Sequence, residues 1–213
     1  MKLVGPWLSG YTRRVGISLN LLDLGFEHLP FNAYTQPDRV APFSPMLRVP
    51  ALQLDDGMIL LDSAAIVDYL DSLVEPERRL MPASGPQRLR AARIVAYATA
   101  CFDKIARYCD ENMLRPPELR IATIQDRYQQ QLLAGLKLLE EEARDPWYLG
   151  DKPSQADVMT IVAYQAAITV LPNVIHGEAF PRLGDLSDLS MTRPEFVSTL
   201  PTQDDLVAVG LLR

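Results

Sequence analysis

The chain has 213 residues, of which 48% are hydrophobic and 23% are charged, as is ordinary for a globular protein with a sizeable core. Its formal net charge is −6, and no basic run exceeds two residues. This balance argues against a surface that binds nucleic acid or an anionic membrane. The expected partners are small molecules or a second copy of the chain.

The sequence offers no strong targeting or membrane signal. The apolar stretch before Gly5 is too short for a secretory signal, and residues 160–171 are fewer than the roughly 20 that span a membrane. We therefore expect a cytoplasmic protein. Cys101 and Cys109 lie about two helical turns apart, too far for a disulfide within one helix.

The first third of the chain alternates between strand and helix patterns. The predicted elements are a strand at 2–4, a helix at 14–24, a strand at 27–31, an irregular segment at 35–45, a hairpin at 52–61 and a helix from Ile66. The irregular segment carries three prolines, and the hairpin turns at Asp55-Asp56-Gly57. This order predicts a small α/β domain.

After a proline-rich stretch that ends at Pro86, the periodicity is helical only. The predicted helices are 89–113, 119–143, 154–171 and 181–191. Pro116-Pro117 and Pro146 separate the first three, because proline disfavours helix at the residue before it. A second domain composed entirely of helices follows from this pattern.

Val49-Pro50 and Asp62-Ser63 are the most informative dipeptides. Pro50 lacks the amide hydrogen needed inside a sheet, so it should precede a strand, and its peptide bond is a candidate for cis. An extended peptide ligand could pair with the free N–H and C=O of Val49, as an added strand does. Ser63 at a helix start could receive a carboxylate.

Together with other segments, these dipeptides resemble the soluble glutathione S-transferases, in particular bacterial-like members of the serine type. The matching segments are Leu8-Ser9-Gly10-Tyr11-Thr12-Arg13-Arg14-Val15, Val49-Pro50-Ala51-Leu52, Asp62-Ser63, Trp147-Tyr148-Leu149-Gly150 with Asp157, and Phe180-Pro181-Arg182-Leu183. The resemblance implies a thioredoxin-like domain that binds glutathione at residues 1–76 and a linker at 77–86. It also implies an all-α domain at 87–213 that contributes the electrophile pocket.

Ser9 is the catalytic residue that the resemblance implies. Its hydroxyl would donate a hydrogen bond to the glutathione sulfur and so favour the thiolate over the thiol. The alternative is that Ser9 only caps a helix, which is a common role for serine. Gly10 stands where most serine-type relatives have proline, and Tyr11 is a rival hydroxyl for the sulfur.

The resemblance also implies which residues bind glutathione. Val49 would contact the cysteinyl main chain, with Pro50 holding it open, while Ser63 and Asp62 would face the γ-glutamyl carboxylate and amino group. Arg48 would meet the glycyl carboxylate, although a solvated arginine is an equal alternative. Asp62-Ser63 taken alone would be only a helix cap.

Residues on the first long helix are candidates for the electrophile pocket. They are Phe102, Ile105 and Tyr108, with Tyr11 from the first domain. Ordinary core packing is an equal alternative for the three helix residues.

Several other residues are assigned to structure. Ser154 and Asp157 have the spacing of a capping box, and Arg13 matches a family arginine of structural type. His28 and His176 lie in unrelated contexts, so neither a metal site nor a Ser-His-Asp system is expected.

The predicted function is conjugation of glutathione, as co-substrate and without a metal, to a small hydrophobic electrophile in detoxification. A homodimer is expected from the resemblance. The alternatives are a glutathione-dependent isomerase or dehalogenase on the same fold, and a non-enzymatic binding or regulatory protein. Glutathione-dependent thiol reduction is disfavoured because Ser9 stands where a cysteine would be needed.

Overall fold

The computed structural model describes residues 1–208, which divide into two compact units. The first unit comprises Met1–Leu80 together with Arg193–Asp205, and the second comprises Met81–Thr192 with the described residues after Asp205. The helices are α1 Gly10–Leu21, α2 Pro37–Val40, α3 Ser63–Ser72, α4 Gly85–Cys109, α5 Ala122–Glu142, α6 Gln155–Val170, α7 Pro181–Met191, α8 Pro194–Val197 and α9 Gln203–Ala208.

A four-stranded mixed sheet forms the centre of the first unit. Its strands are β1 Lys2–Val4, β2 Glu27–Leu29, β3 Ala51–Gln53 and β4 Ile59–Leu61, in the spatial order β2-β1-β3-β4. β1 and β2 are paired in parallel, and α1 connects them along the chain. The β1–β3 and β3–β4 pairs are antiparallel. The order of elements is that of a thioredoxin-like domain, which confirms the predicted fold class.

The core of this unit joins the sheet to α1 and α3. Leu3 and Leu52 face each other in register on β1 and β3, and both are fully buried. The remaining buried members of this cluster are Val15, Leu19, Leu22, Ile66, Val67, Leu70 and Leu80. The apolar residues of α1 and α3 recur at helical spacing, so each helix presents one apolar face to the sheet.

α1 begins at Gly10, four residues before the start at residue 14 that the apolar periodicity predicted. Residues 10–13 carry no aliphatic side chain to mark a buried face, so the periodicity missed the first turn. Ser9 accepts a hydrogen bond from the N–H of Thr12, and this cap fixes the helix start at Gly10.

The second unit is built around α4, α5 and α6. Gly135 of α5 lies so close to α4 that a Cβ there would be 2.4 Å from Cys101 Sγ, so only glycine fits this crossing. α6 is buried around most of its circumference, from Gln155 to Tyr164, as expected for the central helix of an all-helical layer. This unit confirms the predicted all-helical second domain.

Some helix boundaries differ from the predicted ones. α4 ends at Cys109, where the chain forms a π-helical turn, Asp110–Leu114, rather than continuing to Met113. Glu111 in that turn accepts hydrogen bonds from Arg115 and from the Ile121 N–H, which closes the connection to α5. α7 has the predicted bounds, whereas α8 and α9 were not predicted.

The segment Arg193–Asp205 clusters with the first unit, although the sequence placed it in the helical domain. Asn20 Nδ2 donates to the Glu195 carbonyl and to Ser198 Oγ, both at 3.1 Å. Phe196 is buried, and α8 contacts α1. The boundaries 1–76, 77–86 and 87–213 remain a prediction about domains. None of the helices in residues 1–208 is both long and apolar enough to cross a membrane.

Candidate functional site

Ser9 caps α1. Its Oγ accepts a hydrogen bond from the Thr12 N–H at 3.3 Å, and its carbonyl accepts the first helical bond from the Arg13 N–H. A hydroxyl has one donor and two acceptor sites, so capping leaves its hydrogen free. Within residues 1–208 no acceptor receives the Ser9 O–H. Capping and donation to a ligand are therefore compatible roles for this serine.

The two neighbours of Ser9 that the sequence raised as complications lie in the first turn of α1. Gly10 has a helical backbone as the first residue of the helix, although it replaces a proline of the relatives. Tyr11 is half-buried. Its hydroxyl remains a rival to that of Ser9.

Gly5 brings the start of α1 close to the segment before β3. Its φ is +136°, and a Cβ there would lie 2.3 Å from Thr12 Oγ1 and 3.0 Å from Val49 Cβ. Glycine is therefore required both by the backbone conformation and by the close approach. This packing brings Val49 beside the turn that Ser9 caps.

The Val49-Pro50 peptide bond is cis, as predicted, and β3 begins directly after it at Ala51. Pro50 is buried, while Val49 is half-buried. Neither the N–H nor the C=O of Val49 has a hydrogen-bond partner in the described part of the chain. Both groups can therefore pair with an extended ligand.

Asp62, rather than Ser63, is the cap of α3. Its Oδ1 accepts from the Ala64 N–H at 2.8 Å, and its φ of +71° is unusual for a residue other than glycine. Ser63 is then the first residue of the helix and is only 5% exposed. Its backbone N–H belongs to the unpaired set at a helix start, where the helix dipole favours an anion.

Arg14 is a member of this site that sequence reasoning missed. It is 4% exposed, and its Nη1 donates to Ser63 Oγ at 3.3 Å across 49 residues of sequence. Burial lowers the pKa of Arg14 to about 10, and the charge of Asp62 raises it. One signal was available: Arg13-Arg14 is a charged pair directly before the apolar residues of α1, and a buried charge requires a partner.

The other predicted residues are less closely connected to this cluster. Arg48 is exposed, and its N–H donates to Ser44 Oγ. Phe102 and Ile105 are buried in the second unit, 6% and 2% exposed, and Tyr108 is half-buried on the same helix. Their role in an electrophile pocket remains a prediction, as does the glutathione-binding set.

The two cysteines are unsuited to thiolate chemistry. Burial raises the pKa of Cys101 to about 12, and burial with the charge of Asp110 raises the pKa of Cys109 to about 11. Both thiols are therefore protonated at neutral pH. Among the described residues, no group of three or more His, Cys, Asp or Glu side chains could hold a metal ion.

Two surface cavities lie away from the predicted residues. The first is lined by Ala143, Arg144, Asp145, Pro146, Arg182, Asp185, Leu186 and Leu189, and the second by Leu19, Asn20, Asp23, Leu24, Gly25, Phe26, Pro194, Glu195 and Ser198. The glutathione assignment therefore depends on the contacts around Ser9, Val49 and Ser63 and not on a cavity.

The chain matches two family models. Residues 3–78 match the glutathione S-transferase N-terminal domain, and residues 122–188 match the glutathione S-transferase C-terminal domain. The chain therefore belongs to the glutathione S-transferase family, which confirms the resemblance seen in the sequence. Its serine type remains a prediction.

Individual relatives agree with this family. The chain is 29% identical to maleylacetoacetate isomerase of Pseudomonas aeruginosa, over 94% of this chain and 96% of that protein. It is 27% identical to a glutathione transferase family member from Pseudomonas fluorescens Pf-5 with bound S-(propanoic acid)-glutathione (TM-score 0.82, 94% and 99% of the two chains). A glutathione S-transferase from Methylobacterium radiotolerans, in complex with glutathione sulfonate, shares the fold at 24% identity (TM-score 0.87, 94% of each chain).

Proposed function

We propose that this protein is a glutathione-dependent enzyme of the serine type, in which Ser9 stabilises the glutathione thiolate. The observation that carries this proposal is the Ser9 hydroxyl, which accepts the cap hydrogen bond and keeps its own hydrogen free within the described structure. A hydrogen bond to the charged form of a thiol lowers its pKa, and the positive end of α1 adds to the effect.

The remaining contacts accommodate the rest of a glutathione molecule. The unpaired peptide groups of Val49 match the main chain of the cysteinyl residue. Ser63, at the start of α3, offers an N–H and an O–H to the γ-glutamyl carboxylate, and Asp62 offers an anionic oxygen to its amino group. The bound S-(propanoic acid)-glutathione of the Pseudomonas fluorescens relative supports glutathione as the ligand.

The leading reaction is conjugation. The thiolate sulfur attacks an electrophilic carbon and forms a C–S bond. In a substitution, the displaced group leaves with the electron pair of the bond that breaks. In an addition to an activated double bond, the π electron pair moves away from the attacked carbon as the C–S bond forms, and the product then takes up a proton. The protein orients the reactants and supplies a stabilised thiolate.

The similarity to maleylacetoacetate isomerase favours a second candidate, a glutathione-dependent cis–trans isomerase. In that reaction the thiolate adds to a double bond conjugated with a carbonyl, and the new single bond rotates. Elimination of the thiolate then restores the double bond in the trans form. Glutathione is regenerated, so the same thiolate site serves both candidates.

One experiment separates the two candidates. Wild-type protein is incubated with glutathione and, in turn, an aryl halide, an epoxide, an enone and a cis-enedione, while free thiol and product geometry are followed. Consumption of thiol indicates conjugation, and conversion of cis to trans with thiol conserved indicates isomerisation. Binding of glutathione without turnover of any class would favour the non-enzymatic alternative, and no binding would overturn the proposal.

We also propose a cytoplasmic homodimer, as the family resemblance implies. Light scattering coupled to size-exclusion chromatography should give twice the mass of one chain. A monomeric mass at the concentration used for the assays would contradict the dimer.

A further inference from the structure

We propose that Arg14 is a positioning residue that gives the site its preference for a ligand with a carboxylate at Ser63. This inference rests on the proposed function, in which that carboxylate belongs to the γ-glutamyl end of glutathione. The observation behind it is the contact between a buried guanidinium and the Ser63 hydroxyl, Arg14 Nη1 to Ser63 Oγ at 3.3 Å.

The direction of this hydrogen bond determines what Ser63 can do. A guanidinium only donates, so Arg14 occupies one acceptor site on Ser63 Oγ. The Ser63 hydrogen has no acceptor in the described part of the chain. Arg14 therefore holds the hydroxyl with its oxygen towards the protein and its hydrogen available to an incoming acceptor.

The charge of Arg14 acts in the same sense. Arg14 is 4% exposed, and burial lowers its pKa to about 10, so the guanidinium stays protonated at neutral pH although it is poorly solvated. A cation behind a hydroxyl favours an anion in front of it, and screening by water is weak at a buried site. Asp62, whose charge acts on Arg14, is itself exposed to water and accepts the Ala64 N–H.

A purely structural role is the alternative, because the same hydrogen bond ties α1 to α3. The two roles differ in their dependence on the ligand. Loss of a structural tie should weaken all ligands by the same factor, whereas loss of a positioning residue should weaken ligands that carry the γ-glutamyl carboxylate more than those that lack it.

The test uses three ligands and three proteins. The ligands are glutathione, the analogue γ-aminobutyryl-cysteinyl-glycine, which lacks the γ-glutamyl carboxylate but keeps the amine, and the glycyl amide of glutathione, which keeps both groups. The proteins are wild type, Arg14→Gln and Arg13→Gln. Arg13 is the matched control, since it lies next to Arg14 on α1 and is 5% exposed with its pKa likewise lowered to about 10.

We expect wild type to bind glutathione roughly 10- to 100-fold more tightly than the analogue in calorimetry, as for a charge-assisted hydrogen bond. Arg14→Gln should reduce that preference about tenfold or more and weaken the glycyl amide as much as glutathione. Arg14→Lys, which keeps the charge, should restore part of the preference. Arg13→Gln should leave the preference unchanged.

Binding of glutathione by Arg14→Gln with the wild-type preference would overturn this inference and leave the proposed function in place. So would an equal loss for all three ligands. If Arg14→Gln does not fold, the wild-type measurement decides, because equal affinity for glutathione and the analogue contradicts the inference. If wild type binds none of the ligands, the proposed function fails, and the inference fails with it.

Discussion

α1 and α6 each begin behind a serine whose oxygen accepts an amide hydrogen, but the hydrogens of the two hydroxyls are used differently. In the second unit, Ser154 Oγ accepts from the Ala156 N–H and donates to Asp157 Oδ2 at 2.7 Å. In the first unit, Ser9 Oγ accepts from the Thr12 N–H and donates to no acceptor in residues 1–208. One serine is fully satisfied inside the fold and the other is not.

Asp157 completes the difference. Its carboxylate also accepts from the N–H of Tyr148 and of Ser154, both at 2.8 Å. Burial raises the pKa of Asp157, and these hydrogen bonds lower it. A closed network of this kind fixes the fold, whereas a serine with a free hydrogen can act on a ligand. Ser63 belongs with Ser9, since it accepts from Arg14 and keeps its own hydrogen.

The largest expected effect is on the closed network. Asp157→Ala leaves the three donors from Tyr148 and Ser154 without an acceptor in a buried site, so the free energy of unfolding should fall by about 3 kcal/mol or more. Urea denaturation measures this change. The exposed Asp151→Ala should stay within about 0.5 kcal/mol of wild type. Equal stabilities of the two variants would show that the network does not hold the unit together.

Ser63→Ala is the corresponding change on the open side. It should weaken glutathione binding by about 1 to 3 kcal/mol, because the ligand carboxylate loses a charge-assisted hydrogen bond. Calorimetry gives the affinity, and Ser154→Ala serves as the control that removes a serine from the closed network. If Ser63→Ala and wild type bind glutathione equally, the anchor lies elsewhere.

Ser9→Ala should separate binding from chemistry. Glutathione affinity should be nearly unchanged, while turnover falls and the pKa of the bound thiol rises by about 1 to 2 pH units, equivalent to roughly 1.4 to 2.7 kcal/mol. Ultraviolet absorbance of the thiolate against pH reports that titration. An unchanged titration would transfer the role to Tyr11, and Tyr11→Phe would then be the variant to measure.

Thr12 extends the comparison of the serine hydroxyls to a third case, a hydroxyl buried in the first unit. It is fully buried, and its Oγ1 has no hydrogen-bond partner among the described residues. Thr12→Val should therefore leave the free energy of unfolding unchanged or raise it by up to about 1 kcal/mol. Thr12→Ser, which keeps the hydroxyl and removes the methyl group, should be less stable by about 1 kcal/mol. A clear loss in Thr12→Val would mean that the hydroxyl is hydrogen-bonded in solution.

The smallest effect concerns pH. His28 stacks on Trp7 at 3.7 Å between ring centroids, and its Nε2 bonds to the Gly5 carbonyl. Burial lowers the pKa of His28, and two smaller effects raise it: the hydrogen bond that Nε2 donates to the Gly5 carbonyl, and the charge of Asp205. His28 therefore binds a proton more readily in the unfolded chain than in the folded protein. The free energy of unfolding should fall as the pH drops below about 6.5.

His28→Gln should remove that part of the pH dependence, and the exposed His176→Gln should not. Urea midpoints between about pH 7.5 and 5.5 measure the difference, since most carboxylates stay ionised over this range. Equal pH dependence in wild type and His28→Gln would show that another group is responsible.

Local patterns determined most of the fold. The strands lie within about two residues of their predicted positions, and α7 has the predicted bounds, because apolar periodicity and proline positions act over a few residues. The capping box of Ser154 and Asp157 was also predicted, since it spans only three residues. Apolar periodicity placed the start of α1 four residues too late, because its first turn is polar, whereas the possible cap at Ser9 marked the start correctly.

The sequence by itself also determined the identity of the family, since the motifs between Leu8 and Leu183 can be recognised from their residues and their order, without knowledge of their contacts. Only the tertiary structure decided that Arg14 meets Ser63, and that Arg193–Asp205 joins the first unit. These contacts join residues 49 or more positions apart, 49 for Arg14 to Ser63 and 175 for Asn20 to Glu195. Local propensity carries no information on such pairs, because they depend on how the sheet and helices pack together.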